Sequence, residues 1–357
     1  MPSTIKDQIK KALDSFWSFS DDIPCDTILS RQEKPFAGMD PGLEDEAIND
    51  AFINDNNKWL HTEFVKKLRL PCIIEPDFSF AITGARSIVR ETVPFPGLRP
   101  SVPRYIRSFF QARKHFQRAI LFDGVFGRNY FHFFTEVITK VWLLDTIKGY
   151  ESLPFIINEN VYNRKYFQYL IHHTDLGRLQ WVVQKKGDYI KVDELYIIKS
   201  MSFDSRHFAR LKEWLKIPVP ATRTKRVFIN RPFKTGRYLE NFGEILPILA
   251  KYNFEVVDLD NTTLEYQMEL FAATSHLLSI HGAGQSNIIF ADHSIGFTEI
   301  LPGNRLSTHF YWLSMALGIA SYNAIKGENL PATNTYPEKG FYISPEKVEQ
   351  EIQRMLA

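Results

Sequence analysis

Cysteine is scarce: Cys25 and Cys72 are the only two in 357 residues. Two thiols make no disulfide framework for a chain of this length and lack the paired spacing of a zinc site, so a reducing compartment is expected. Long apolar runs are also missing. No uncharged stretch approaches the roughly 20 residues that span a bilayer, and "MPSTIKDQIKKALDSFW" has no apolar region behind a basic start. The expected protein is soluble and cytoplasmic. Neither charge dominates: 43 Lys and Arg oppose 41 Asp and Glu, a net charge of +2, so no global field recruits nucleic acid and any anion site is local. There is no internal repeat or low-complexity tract. G-x-S-x-G is absent too, which removes a serine-esterase reading of "HGAG".

What is present is 44% apolar and 14% aromatic, enough to core two or three packed units. Residues 4–17 read as an amphipathic helix, with Ile5, Ile9, Leu13 and Trp17 about four apart; such a helix packs on its own domain or touches a membrane surface. Residues 20–105 are Pro-rich, with one helix near 55–67 and short strands near 71–74 and 79–82. From Arg118 onward strands and helices alternate: "RAILFDG", a long helix in "NYFHFFTEVITKVWLLDTI", "LPFIIN", a helix in "RKYFQYLIHHT", then "ELYIIKS". After the Pro-marked "LKIPVPATRT" a second series runs "KRVFINR", "FEVVDL", "HLLSIHG" and "FTEILP", each followed by a helical stretch. Such alternation predicts a doubly wound α/β fold. The predicted domains are residues 1–217, residues 218–330, and a tail at 331–357 whose helix, capped by Ser344, packs back on the first domain.

In open parallel sheets ligands bind off the carboxyl ends of strands, where the next helix begins. "SIHGAGQSN" occupies such a place. Gly282 and Gly284 permit close backbone approach and positive φ, while Ser286 and Asn287 can cap the next helix, which makes an anion cradle. The bland alternative is an ordinary strand-to-helix turn. Arg231, Lys234 and Arg237 in "FINRPFKTGRYLEN" fall at another strand end of the same unit, where arginines and a helix N-terminus together neutralise a diphosphate without a metal. A solvated basic loop is equally ordinary. Glu299 in "FTEILP" would suit ribose hydroxyls, or would simply be exposed. In "NYFHFFTE", His132 lies in the first turn of the long helix with Glu136 one turn on; a His there is disposed to act as a general base, although a His among phenylalanines is often a satisfied core residue. Asp258 and Asp260 form a D-x-D, which a strand-end turn explains as well as a metal site does. "PRYIRSFFQARKHFQR" is basic and aromatic without acids, suited to an anionic acceptor, a lipid head group or plain solvent.

Read together, "GRNYFHFFTEVITKVWLL", "VFINRPFKTGRYLEN", "HGAGQSNIIF", "EILP" and "HFYWLSMALGIASY" resemble glycosyltransferase family 61, which includes plant xylan-decorating enzymes, animal protein O-linked N-acetylglucosaminyltransferases and bacterial polysaccharide enzymes. The resemblance runs from about Asp123 to Tyr322. It implies the GT-B type, two facing Rossmann-like domains with a cleft between them, and inverting transfer from a nucleotide-sugar. Arg231 and Arg237 then match the family's basic loop, His281, Gly282, Gly284 and Asn287 its H-G-A-G-x-x-N block, and Glu299 its acid. The expected donor-binding set is Asn230, Arg231, Arg237, His281, Gly282, Ala283, Gly284, Gln285, Ser286, Asn287 and Glu299. The chain departs from the family at Asn230, Pro232 and Gln285, and Pro232 stiffens the loop.

The implied mechanism has His132, with Glu136 and then Asp123 as runners-up, deprotonating the acceptor hydroxyl, and needs neither a metal nor a cofactor beyond the nucleotide-sugar, expected to be a UDP-sugar. The expected acceptor is a saccharide or lipid-linked saccharide, with a peripheral membrane contact left open. A metal-dependent GT-A transferase using Asp258 and Asp260, and a non-catalytic glycan-binding protein, remain as alternatives.

Overall fold

The computed structural model describes residues 13–20, 23–94, 97–111, 113–233, 236–303, 305–329 and 340–357. Most of the helix expected over residues 4–17, and Lys234, lie outside the described residues. The chain divides into two compact units, one of residues up to Gln32 plus Thr62–Ser202 and one of Glu33–His61 plus Phe203–Ala357.

The first unit is built on a mixed sheet of β1 (Ser18–Ser20), β2 (Cys25–Glu33), β3 (His61–Leu68), β4 (Cys72–Ile74), β5 (Ala81–Thr83), β6 (Ser87–Val89), β7 (His115–Leu121), β8 (Pro154–Asn158), β9 (Gln180–Gln184) and β10 (Ile190–Lys199). β9, β8, β7 and β10 lie side by side in parallel. β7 is followed outward by β8 and β9, while β10 returns to its other side. That reversal is a topological switch point, where the strand ends open a crevice for ligands. All five residues of β8 are buried, as parallel strands require when both faces are covered. β10 is long enough to add two antiparallel partners, β4 along Ile190–Val192 and β3 along Leu195–Lys199. The region up to residue 105 thus contributes six strands, β1 to β6, to this sheet. Its helix is Glu46–Lys58 rather than 55–67: Asp45 caps it by accepting from Ile48 N, and Trp59 leaves it in extended conformation.

The second unit has a five-stranded parallel sheet of β11 (Lys225–Ile229), β12 (Phe254–Val257), β13 (Thr274–Ile280), β14 (Gly296–Leu301) and β15 (Tyr322–Lys326) in the order β12-β11-β13-β14-β15. Its switch point falls between β11 and β13. Two segments join this unit against the expected boundaries. Helix Glu46–Lys58 buries Ile48, Phe52 and Asn56; Asn56 Oδ1 accepts from Trp312 Nε1 at 2.7 Å, and Phe36 stacks on the same indole with centroids 5.7 Å apart. The C-terminal helix Pro345–Leu356 was expected on the first domain. Instead its apolar stripe, Val348 and Ile352, enters the core of Phe228, Leu249 and Ile300, and its buried Glu351 accepts from Thr298 Oγ1 and Asn323 Nδ2. A buried carboxylate needs such donors, and β14 and β15 supply them.

Candidate functional site

In the second unit the loops after β11 and β13 flank the switch point, as adjacent strands must. Arg231 leaves β11 and lays its guanidinium on the backbone of Gly282: Nη1 donates to the His281 carbonyl at 3.4 Å and Nε to the Gly236 carbonyl at 3.1 Å. A Cβ on Gly282 would come within 1.9 Å of Arg231 Nη1, so this residue must be glycine for the guanidinium to lie where it does. On Gly284 a Cβ would meet Leu259 Cδ1 at 2.9 Å. Close approach, rather than positive φ, is what these two glycines provide; Gly282 has φ 171°, ordinary extended backbone. Positive φ occurs instead in the basic loop, at Gly236 (68°) and Arg237 (54°).

The helix Ala283–Phe290 begins beside the guanidinium and has 3₁₀ pitch. The leading N–H groups of such a helix have no partner within it, and here they start at Ala283 and Gly284. The side chains beyond them point into the unit. Gln285 Nε2 donates to Ser279 O, Asn287 Nδ2 donates to Gln267 Oε1 and Gly284 O, and Ser286 is buried. Ser286 and Asn287 therefore do not cap this helix; with Gln285 they shape the loop from beneath. Asn230 continues β11, its N–H donating to Val257 O.

Glu299 is wholly buried, not turned out toward a ribose. One oxygen meets His281 Nδ1 at 2.5 Å and the other accepts from Tyr322 OH at 2.8 Å. His281 packs edge-on to Phe310. Tyr322, Glu299 and His281 thus form a buried polar chain that orients the imidazole and, through the His281 carbonyl, the seat of Arg231. Burial first, and the neighbouring Glu299 second, hold the Tyr322 hydroxyl well above its ordinary pKa, so it stays a donor. Asp258 accepts from Asp260 N at 3.0 Å and caps the short turn Leu259–Asn261, and both acids are exposed. The D-x-D is a turn cap.

In the first unit Asn129 caps a helical run from Tyr130 to Thr146, its side chain accepting from Phe131 N. The run is expected as one long helix but changes pitch: an α turn at Tyr130–His132, a wide π turn at Phe133–Val137, then 3₁₀ to Thr146. Wide turns of this kind recur at functional sites. Here the π turn carries Glu136, whose Oε1 lies 2.9 Å from His132 Nδ1. Both side chains are part-exposed, at 27% and 40%. With Nδ1–H directed at the carboxylate, Nε2 keeps a lone pair for a proton. Phe126 packs against the ring at 5.0 Å.

Asp123 follows β7 and is buried. Its Oδ1 accepts from Gly124 N at 2.6 Å, and its Oδ2 accepts from Ser79 Oγ at 3.1 Å and Asn158 N at 3.2 Å. Burial raises its pKa from the ordinary aspartate value, against those hydrogen bonds and the nearby Lys140. Such full engagement ties three strand ends together. Beneath it the buried Lys140 Nζ donates to the Phe122 and Asp123 carbonyls at 2.8 and 2.7 Å, and burial lowers its pKa to about 8. Asp123 lines a shallow, open cavity together with Asp77, Phe78, Arg128, Asn158 and Asn160. Residue-type reasoning missed Lys140 and Asn158. Lys140 extends the spacing His132-x₃-Glu136-x₃-Lys140, a signal that was there to find.

The family whose sequence model matches this chain is described as Glycosyltransferase 61, over residues 130–298, just under half of the 357. Over this segment the chain is similar to glycosyltransferase family 61, which supports assigning it there. The matched stretch takes in His132, Glu136, Arg231 and the Gly282 loop. The match supports a glycosyltransferase role, and such enzymes in general act on a sugar donor and an acceptor. None of the curated proteins matches the chain. Among the described residues no helix is long and apolar enough to cross a membrane.

Proposed function

We propose that this protein is an inverting, metal-independent glycosyltransferase of the GT-B type, moving a sugar from a nucleotide-sugar, a UDP-sugar in the first instance, to a hydroxyl of a saccharide or lipid-linked saccharide in glycan or polysaccharide synthesis. The observation that carries this reading is the Arg231 guanidinium resting on Gly282 at the switch point of the second unit. A fixed cation beside the first N–H groups of a helix fits a diphosphate. Arg237 and the Ala283–Gly284 backbone complete the phosphate cradle. His281, Glu299 and Gln285 to Asn287 position it without touching the donor.

The first unit takes the acceptor, on the side where the shallow cavity beside Asp123 opens. His132 Nε2 removes the proton of the attacking hydroxyl while Glu136 holds Nδ1 and stabilises the imidazolium that forms. The acceptor oxygen bonds to C1 as the bond from C1 to the phosphate oxygen breaks, and the electron pair leaves on the nucleoside diphosphate, where Arg231 and Arg237 balance the new charge. Asp123, with both oxygens engaged, acts as a positioning residue.

Thermal shift against UDP-, GDP- and CMP-sugars and the free nucleotides, with and without EDTA, tests the reading. One nucleotide class should raise Tm regardless of chelator. Stabilisation by free glycans alone would make this a glycan-binding protein, and loss of stabilisation or of transfer with EDTA would restore the metal-dependent alternative through Asp258 and Asp260.

A further inference from the structure

No Asp or Glu occurs between Glu91 and Asp123, a stretch holding Arg99, Arg104, Arg107, Arg113, Lys114 and Arg118. Its centre is the helix Val102–Ser108, which buries Val102, Tyr105 and Ser108. The opposite face should be polar. Beside Arg104 and Arg107 it also shows Ile106, 48% exposed, and the turn that follows the helix adds Phe109 at 53% and Phe110 at 87%. Three large apolar side chains within five residues form a patch, unlike the single exposed apolar residues of ordinary surfaces.

The charges around the patch are unevenly matched. Arg104 is paired with Asp77 at 2.6 Å, Lys114 lies 3.9 Å from Asp188, and His115 meets Asp193. Arg113 instead donates to Ser108 O and Oγ and lies 4.5 Å over the Phe109 ring, and Arg107 is exposed with no acidic partner among the described residues. Two uncompensated guanidinium groups therefore rim the apolar tip. Basic residues around exposed Phe and Ile are what seats a protein at a bilayer interface: rings enter the acyl boundary while guanidinium groups stay at lipid phosphates.

We propose that Ile106, Phe109 and Phe110, with Arg107 and Arg113, seat the first unit on an anionic lipid bilayer. This goes beyond the proposed transfer reaction and holds whether or not the acceptor is lipid-linked. It does place the cavity near the membrane, because Asp77, which binds Arg104, is also part of the cavity wall.

The test is co-sedimentation of the full chain with vesicles of phosphatidylcholine alone or mixed with phosphatidylglycerol, at low and high salt. Binding should require phosphatidylglycerol and weaken with salt. Phe110→Ser should lower the partition about tenfold through lost apolar burial, and Arg107→Gln about fivefold. Both variants should keep the wild-type Tm and the nucleotide-induced thermal shift, which separates this proposal from the donor-site reading. Absent binding, equal binding to both vesicles, or unchanged partition of the variants would overturn it. So would a dimer seen by light scattering that Phe110→Ser dissociates in a protein that ignores vesicles, since the patch would then join two copies of the chain.

Discussion

Replacing Gly282 by alanine adds one methyl group and should separate donor binding from stability. The new Cβ would lie 1.9 Å from Arg231 Nη1 and 3.0 Å from Cζ, where ordinary contact begins near 3.4 Å, so the guanidinium must retreat by about 1.5 Å. The backbone has no reason to move. At φ 171° alanine is unstrained, and the obstacle is the far end of a flexible side chain. Replacing glycine at a compatible position changes stability by less than about 1 kcal/mol, in the favourable direction where it changes at all. A displaced guanidinium, by contrast, loses charge-assisted hydrogen bonds to the donor, each contributing about 1.5–3 kcal/mol. A loss of roughly 2–3 kcal/mol corresponds to a 30- to 150-fold rise in Kd. Calorimetric titration of the stabilising nucleotide should therefore show that rise for Gly282→Ala at unchanged Tm. Arg231→Ala should match it, and the double variant should be no worse than either single one, giving a coupling of about 2–3 kcal/mol in the cycle. A Kd within twofold of wild type for Gly282→Ala, or additive losses in the double variant, would refute the placement of phosphate against Arg231.

His132→Ala should abolish transfer while leaving the donor Kd within about twofold, and Glu136→Gln should lower single-turnover transfer on the order of 10²- to 10⁴-fold; joint loss of binding and transfer would make the dyad structural. Glu75 is raised by burial to about 7, against hydrogen bonds from Phe80, Asp77 and Phe78 that pull it down. Because its folded pKa exceeds the ordinary 4.5, the folded state holds the extra proton between pH 4.5 and 7, and stability falls as pH rises through that window. Glu75→Gln removes this slope, so the wild type should gain up to about 3 kcal/mol over the variant on going from pH 8 to pH 5, read from denaturation midpoints. Asp258→Ala should lose only a cap, about 1 kcal/mol in chemical denaturation, with transfer and its indifference to EDTA unchanged.

Residues 118 onward were legible because parallel strands buried on both faces are short apolar runs, as in "PFIIN", and because the helices between them carry one apolar stripe. The first hundred residues were not. Strands of three residues such as β4, β5 and β6 are too short to show a period, and nothing local in residues 33–61 reports that Phe36 and Asn56 pack on Trp312. The same limit moved the C-terminal helix: its stripe announces that it packs, and only Thr298 and Asn323 decide where.

At the candidate site the pairings between loops were legible and the directions of side chains were not. His132 and Glu136 are four apart, and that spacing brought them together even through a π turn. In "HGAGQSN" all seven residues were expected to meet the donor, yet the 3₁₀ turn sends Gln285, Ser286 and Asn287 inward, and Glu299 follows His281 into the interior. What remains for a ligand is backbone, together with an arginine from another strand. The glycine is then explained by its neighbour instead of its own torsion: a guanidinium can reach the start of that helix only where position 282 has no side chain. Adjacent strand ends at a switch point make such a pairing possible, and it takes both loops, about fifty residues apart in sequence, to make either one intelligible.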